Sequence, residues 1–97
     1  MPRYVVLYNW TEQGARAAKD TVRQADAFMV QARDQGITVR NILWLMGPYD
    51  AMTVIDAPDD YAVTRLAISA AASGLVRTVT MRAFTAEEIR EVVDGLP

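Results

Sequence analysis

Two β-rich runs in the middle of the chain, Thr38 to Met46 and Ala51 to Ala57, are separated only by Gly47-Pro48-Tyr49-Asp50. Gly, Pro and Asp within one short connection are turn chemistry, and so short a connection makes the two strands an antiparallel hairpin. The rest of the chain has to be arranged around that hairpin. Before it, Tyr4 to Trp10 has the β-branched, aromatic and leucine-rich composition of a strand buried on at least one face. Thr11 then offers an N-cap hydroxyl, with Glu12 at the positive end of the dipole, so a short helical turn follows. Thr21 and Gln24 have capping-box spacing, and Val22, Ala25, Met29 and Ala32 recur at three and four residues. These features predict a main helix that Gly36 terminates.

After the hairpin, Pro58, Asp59 and Asp60 suit the first turn of a second main helix. Proline there lacks a donor that would be orphaned, and the acids face the positive dipole end. Val63, Leu66, Ala67, Ala70 and Ala71 form its apolar stripe, and Gly74 ends it. Leu75 to Phe84 reads as a fourth strand. Thr85 and Glu88 make the clearest capping box in the chain, opening a last helix whose Ile89, Val92 and Val93 are predicted to be its buried side.

The order strand, helix, strand, strand, helix, strand, followed by a C-terminal helix, is an α+β plan of the split βαβ kind. Four antiparallel strands carry both main helices on one face, and the other face is left open. Exposed apolar patches beyond a few hundred Å² are rare on monomers, so a homodimer or higher homo-oligomer is expected. A chain of 97 residues has room for one core, which makes residues 1–97 one domain.

Ten basic and twelve acidic residues leave a net charge of −2, which offers no positive field for phosphate backbones or anionic lipid. RNA recognition, which shares the βαββαβ plan, needs stacking rings on the central strands and basic surroundings. The third strand, Ala51 to Ala57, has no ring. Nucleic acid and membranes are therefore not expected as partners. The absence of cysteine and histidine removes disulfides, thiolate nucleophiles, histidine bases and soft metal sites. The acid pairs Asp59-Asp60 and Glu87-Glu88 fall in first turns of helices, where dipole complementation accounts for them, so neither a metal site nor a cofactor is predicted. The opening MPRYVVLYNW breaks its apolar run too early, at Asn9, for a signal-peptide core, and no stretch approaches the ~20 apolar residues of a membrane span; a cytoplasmic protein is expected.

Several stretches carry a family resemblance. They are Asn9-Trp10-Thr11 with Gly14, Ala25-Asp26-Ala27-Phe28, Gly47-Pro48-Tyr49-Asp50, Ala57-Pro58-Asp59-Asp60, Val76-Arg77-Thr78, and Arg82-Ala83-Phe84-Thr85-Ala86-Glu87-Glu88. In this order they resemble the small bacterial GYD-domain family, named for a Gly-Tyr-Asp motif. The resemblance implies a ferredoxin-like domain of the dimeric α+β barrel type, in which two sheets pack open face to open face. It implies little about activity, because related barrels include cofactor-free monooxygenases, haem-degrading enzymes, polyketide cyclases and plain binding proteins.

Alternation along the first strand separates Tyr4, Val6, Tyr8 and Trp10 from Val5, Leu7 and Asn9. If Val5 and Leu7 meet the helices, the tyrosines and Trp10 look toward the open face; Trp44 from the second strand and Arg77 from the fourth are candidates to join them, the alternation there being too weak to fix their facing. Such a cavity between paired sheets suits a small apolar, aromatic or carboxylated ligand, held by Tyr8, Trp10, Trp44, Tyr49, Asp50 and Arg77. The plainer reading is that the rings fill a subunit interface and that Asp50 serves the turn. Arg77 and Arg82 fall on opposite faces of their strand, and one of them is expected along a surface or beside an acid such as Asp56. The favoured function is a homo-oligomeric binding or scaffold domain. The alternative is a cofactor-independent oxygenase, cyclase or isomerase using Asp50, Tyr8, Tyr49 or Arg77 in the same cavity.

Overall fold

A computed structural model describes all 97 residues. The elements follow in the order β1 (Arg3–Trp10), α1 (Glu12–Arg16), a 3₁₀ turn (Ala18–Asp20), α2 (Thr21–Asp34), β2 (Thr38–Trp44), β3 (Ala51–Asp56), α3 (Asp60–Ala72), β4 (Val76–Ala83) and α4 (Ala86–Asp94). The strands form one antiparallel sheet in the order β2-β3-β1-β4, the ferredoxin-like arrangement. The central hairpin is β2–β3, as its connection requires. No helix is long and apolar enough to cross a membrane.

β1 pairs with both β3 and β4, so its alternation decides which residues meet the helices. Tyr4, Val6 and Tyr8 are buried beneath the helices with Ile55, Val63 and Leu66. This reverses the expectation that the tyrosines face the open side. Both parities of β1 carry β-compatible apolar residues, and the aromatic set is the one with enough volume to fill the space under two helices that are rich in alanine.

The open face consequently carries the other parity. Leu7 lies between Met52 and Val79, and Val5 lies between Val54 and Met81. Leu43 stands beside Met52. No helix of the chain covers this surface, and Leu43, Val79 and Met81 are each nearly half exposed.

At one end of the same face Asp56 lies opposite Arg3 in the ladder. Its Oδ1 accepts from Arg3 Nε at 2.8 Å, and Oδ2 accepts from Nε of Arg40. Arg40 is the extra residue where the β2–β3 register shifts between Val39 and Asn41. The acid expected beside Arg77 or Arg82 therefore belongs to Arg3 and Arg40. Arg82 instead pairs with Glu88 and lies over the rings of Tyr4 and Phe84.

Thr11 caps α1 as expected, accepting from the Gly14 N–H at 3.0 Å, and α4 starts on its signal. Helix α3 begins only at Asp60, with Pro58 and Asp59 before it and not in its first turn, and α2 does not use its capping box. Thr85 and Glu88 make both halves of their capping box, and Asp59 caps α3 by accepting from the Ala62 N–H at 2.9 Å. Thr21 does not cap α2; it is the first helical residue, and its hydroxyl accepts the indole N–H of Trp44 at 3.0 Å. On α4, Ile89, Val92 and Val93 are not buried: they are 44%, 51% and 49% exposed, so this helix presents its apolar stripe to no other part of its own chain.

The two guanidiniums hold the Asp56 carboxyl down to about 2, against an unfolded value near 4. A carboxyl with a depressed folded pKa contributes stability above the unfolded value and loses it as pH falls through the folded one. Urea midpoints should therefore fall between about pH 4 and pH 2. Asp56→Asn should lower the midpoint at pH 6 and flatten that acid limb; a variant whose midpoints track the wild type at every pH would show that the cluster contributes nothing.

Candidate functional site

α2 packs over β2 and α3 packs over β4, so the helices sit toward opposite sides of the sheet. Between them the middle strands are incompletely roofed, which leaves a half-open cleft of about 300 Å³ on the helix side. The size is at the lower end of small-ligand sites. Small residues create the room: Ala51 and Thr53 of β3 form the floor, Ala25 lies on the α2 wall, and Ala70 lies on the α3 wall.

Aromatic rings shape the rest. Tyr8 and Trp10 enter from β1, Trp44 from β2 and Phe28 from α2. Three of the four rings have a fixed partner. The Tyr8 hydroxyl is hydrogen-bonded to Thr53 Oγ1 at 2.9 Å, and Phe28 meets the Tyr8 ring edge-on, with centroids 6.0 Å apart at 86°. Trp44 is tied to α2 through Thr21. Burial pushes the Tyr8 phenol up to about 12, only partly offset by its bond to Thr53, so it stays protonated at neutral pH.

The remaining polar lining is uncharged: Gln24 and Gln31 of α2, Thr21, Thr53, Ser69 of α3 and Ser73 just after it. No carboxylate, ammonium or guanidinium reaches the cleft.

Of the six residues predicted to hold a ligand, the structure brings Tyr8, Trp10 and Trp44 together here. They meet between sheet and helices, not between paired sheets. Arg77 is opposite Asn9 in the ladder and lies on the open face, away from the rings. Tyr49 does not line the cleft, nor does Asp50, which has structural work beside it.

β1 extends past the end of β3 pairing, which stops at Tyr8 and Ala51, so the Trp10 N–H has no strand partner on that side. Asp50 Oδ2 accepts it at 2.9 Å. The Asp50 N–H in turn donates to the Tyr8 carbonyl at 2.8 Å, and its carbonyl accepts from Leu45 N–H at 2.9 Å. Asn9 Nδ2 donates to the Pro48 carbonyl at 2.8 Å. Gly47 has φ of +144°, a conformation that side-chain-bearing residues seldom adopt. The Gly-Pro-Tyr-Asp loop is thus a clasp that extends the ladder and sets Trp10 at the rim of the cleft.

A second close approach fixes the other end of that rim. Thr11 N–H donates to the Leu75 carbonyl at 3.0 Å, and its hydroxyl donates to the Gly74 carbonyl at 2.6 Å. A Cβ on Gly14 would come within 1.9 Å of the Leu75 carbonyl oxygen, so only glycine lets α1 lie this close.

The model of the GYD domain matches residues 4–93 of this sequence. The chain belongs to the GYD-domain family. This GYD domain is also 31% identical, over 90 residues, to a Thermus thermophilus protein named glutamine synthetase and cystathionine beta-lyase binding protein; the alignment spans 92% of this chain and 95% of that relative.

Sequence reasoning missed Phe28, Thr53, Gln24 and Gln31 as lining residues. The available signal was the concentration of alanines on the two main helices, which cannot fill a layer over a sheet.

Asp50→Ala should leave the Trp10 N–H without its acceptor and lower stability by about 1–3 kcal/mol, the usual loss for a partly buried donor left unpaired. Asp50→Asn, which keeps an acceptor oxygen, should lose less. Urea denaturation followed by tryptophan emission checks both, and equal losses for the two variants would count against the clasp.

Proposed function

We propose that this GYD domain is a homo-oligomeric binding domain whose copies pair through the open sheet face, leaving the helix-side cleft of each copy free for a small apolar or aromatic molecule. The observation that carries the pairing is the uncovered apolar surface of Val5, Leu7, Leu43, Met52, Val54, Val79 and Met81. The chain exposes 6487 Å² at a mass of 10.8 kDa. A compact monomer of that mass exposes about 5,500 Å². The excess, roughly 900 Å², is shared between the open sheet face and α4, both of which are left uncovered.

The Thermus relative supports a protein-binding role, since its name records two enzymes that it binds. Within this reading α4 is the surface offered to another protein, on the ground of its own exposed stripe. Its apolar stripe of Ile89, Val92 and Val93 is exposed, and Glu87, Glu91 and Asp94 are exposed on the same short helix.

The enzymatic alternative draws no support from the cleft. Tyr8 is protonated, and the Asp50 carboxylate is occupied by the Trp10 N–H outside the lining.

Native mass spectrometry over a dilution series tests the pairing. The wild-type chain should appear at twice the chain mass or a higher multiple. Leu43→Lys with Val79→Lys changes two side chains that are already half exposed in one copy, so it should give single chains with unchanged far-UV circular dichroism. A wild-type chain that stays single at high micromolar concentration would sink the reading.

A further inference from the structure

We infer that the helix-side cleft selects an uncharged aromatic molecule and rejects carboxylates and other anions of similar shape. This rests on the reading that the cleft is a binding site, and it supplies the chemistry of what enters. The lining lacks charge altogether. The two charged residues that the sequence suggests for the site are elsewhere: Arg77 is on the opposite face of the sheet, and the Asp50 carboxylate accepts the Trp10 N–H outside the cleft. An anion moved into this space gives up hydration, meets no cationic side chain, and faces the negative faces of the rings.

The lining also shows what is accepted. Tyr8, Trp10, Phe28 and Trp44 offer ring faces and edges, and the first and last are held by hydrogen bonds to Thr53 and Thr21. A ligand therefore meets rings that have already lost much of their freedom, which lowers the entropic cost of binding. The polar contacts on offer are neutral. The side-chain amides of Gln24 and Gln31 make no hydrogen bond within the chain, and the Tyr8–Thr53 pair uses one hydroxyl hydrogen and leaves the other. A carbonyl, amide or hydroxyl on an aromatic ring system satisfies these groups. The volume of about 300 Å³ admits a molecule on the order of two or three rings.

A matched probe pair tests the inference: N-phenyl-1-naphthylamine, which is neutral, and 8-anilino-1-naphthalenesulfonate, the same skeleton with a sulfonate. Both are titrated into the full-length ¹⁵N-labelled protein, and the two indole N–H signals are followed. The chain has two tryptophans, and both line the cleft. Trp44→Phe assigns the signals. The neutral probe should shift both indoles saturably and bind at least about tenfold tighter than the sulfonate, tenfold being the effect of 1.4 kcal/mol. Ala70→Leu, which fills the cleft from α3, should abolish the shifts with far-UV circular dichroism unchanged. Ala25→Leu fills it from α2 and decides the matter if the first variant does not fold. Equal or tighter binding of the sulfonate, with both indoles shifted, would overturn the charge selection while leaving the cleft a binding site. Failure of both probes to move the indoles would overturn the binding site itself.

Discussion

The parity of β1 governs the molecule. This strand is hydrogen-bonded on both sides, to β3 and to β4, so every side chain it carries is committed to one face or the other. Tyr4, Val6 and Tyr8 go to the helices and become core. Val5 and Leu7 go to the open side and become the centre of an apolar surface. A slip of one residue would exchange the two sets, putting two phenols on the open face and leaving the helices over residues too small to fill the layer. The Arg3–Asp56 pair at one end and the Asp50 clasp at the other pin that register, since each joins β1 to a neighbour at a defined position.

The Gly-Tyr-Asp loop has a local physical task that does not require chemistry. A strand that outruns its neighbour exposes backbone donors, and an unpaired donor costs about as much as a lost hydrogen bond. Asp50 supplies the missing acceptor for Trp10 and at the same time uses its own backbone to continue the ladder to Tyr8 and Leu45. The carboxylate therefore reaches across to another strand, where an aspartate in a turn ordinarily serves its own loop. The consequence is felt at the cleft, because the residue so anchored is one of its rim rings.

Most of the architecture was legible because its signals are local. The hairpin follows from four turn residues, and the start of α4 follows from Thr85 and Glu88. The facing of β1 was not legible, because both parities of that strand are apolar and alternation identifies two sets without saying which meets a helix. The bulge at Arg40 had the same effect on β2: it places Val39 and Ile42 on one face although they are three apart, which breaks the period of two. Thr21 fits a capping box by spacing, yet its hydroxyl answers to Trp44, a residue distant in sequence. The stripe of α4 suggests a buried side, but amphipathicity marks a face and carries no information about what lies against it.

One layer of backbone separates the two surfaces of the sheet, so each face is energetically its own. Tyr8 and Leu7 are neighbours in sequence but project to opposite sides, one to the cleft and one to the open face. A substitution on either side changes van der Waals contacts on that side alone, and effects of groups that share no contacts are close to additive. Coupling between the faces has to pass through the β1 and β3 backbone, which a full ladder of hydrogen bonds holds in one arrangement. Because groups on the two faces share no contacts, occupancy of the cleft and pairing of the open faces are expected to be nearly independent equilibria.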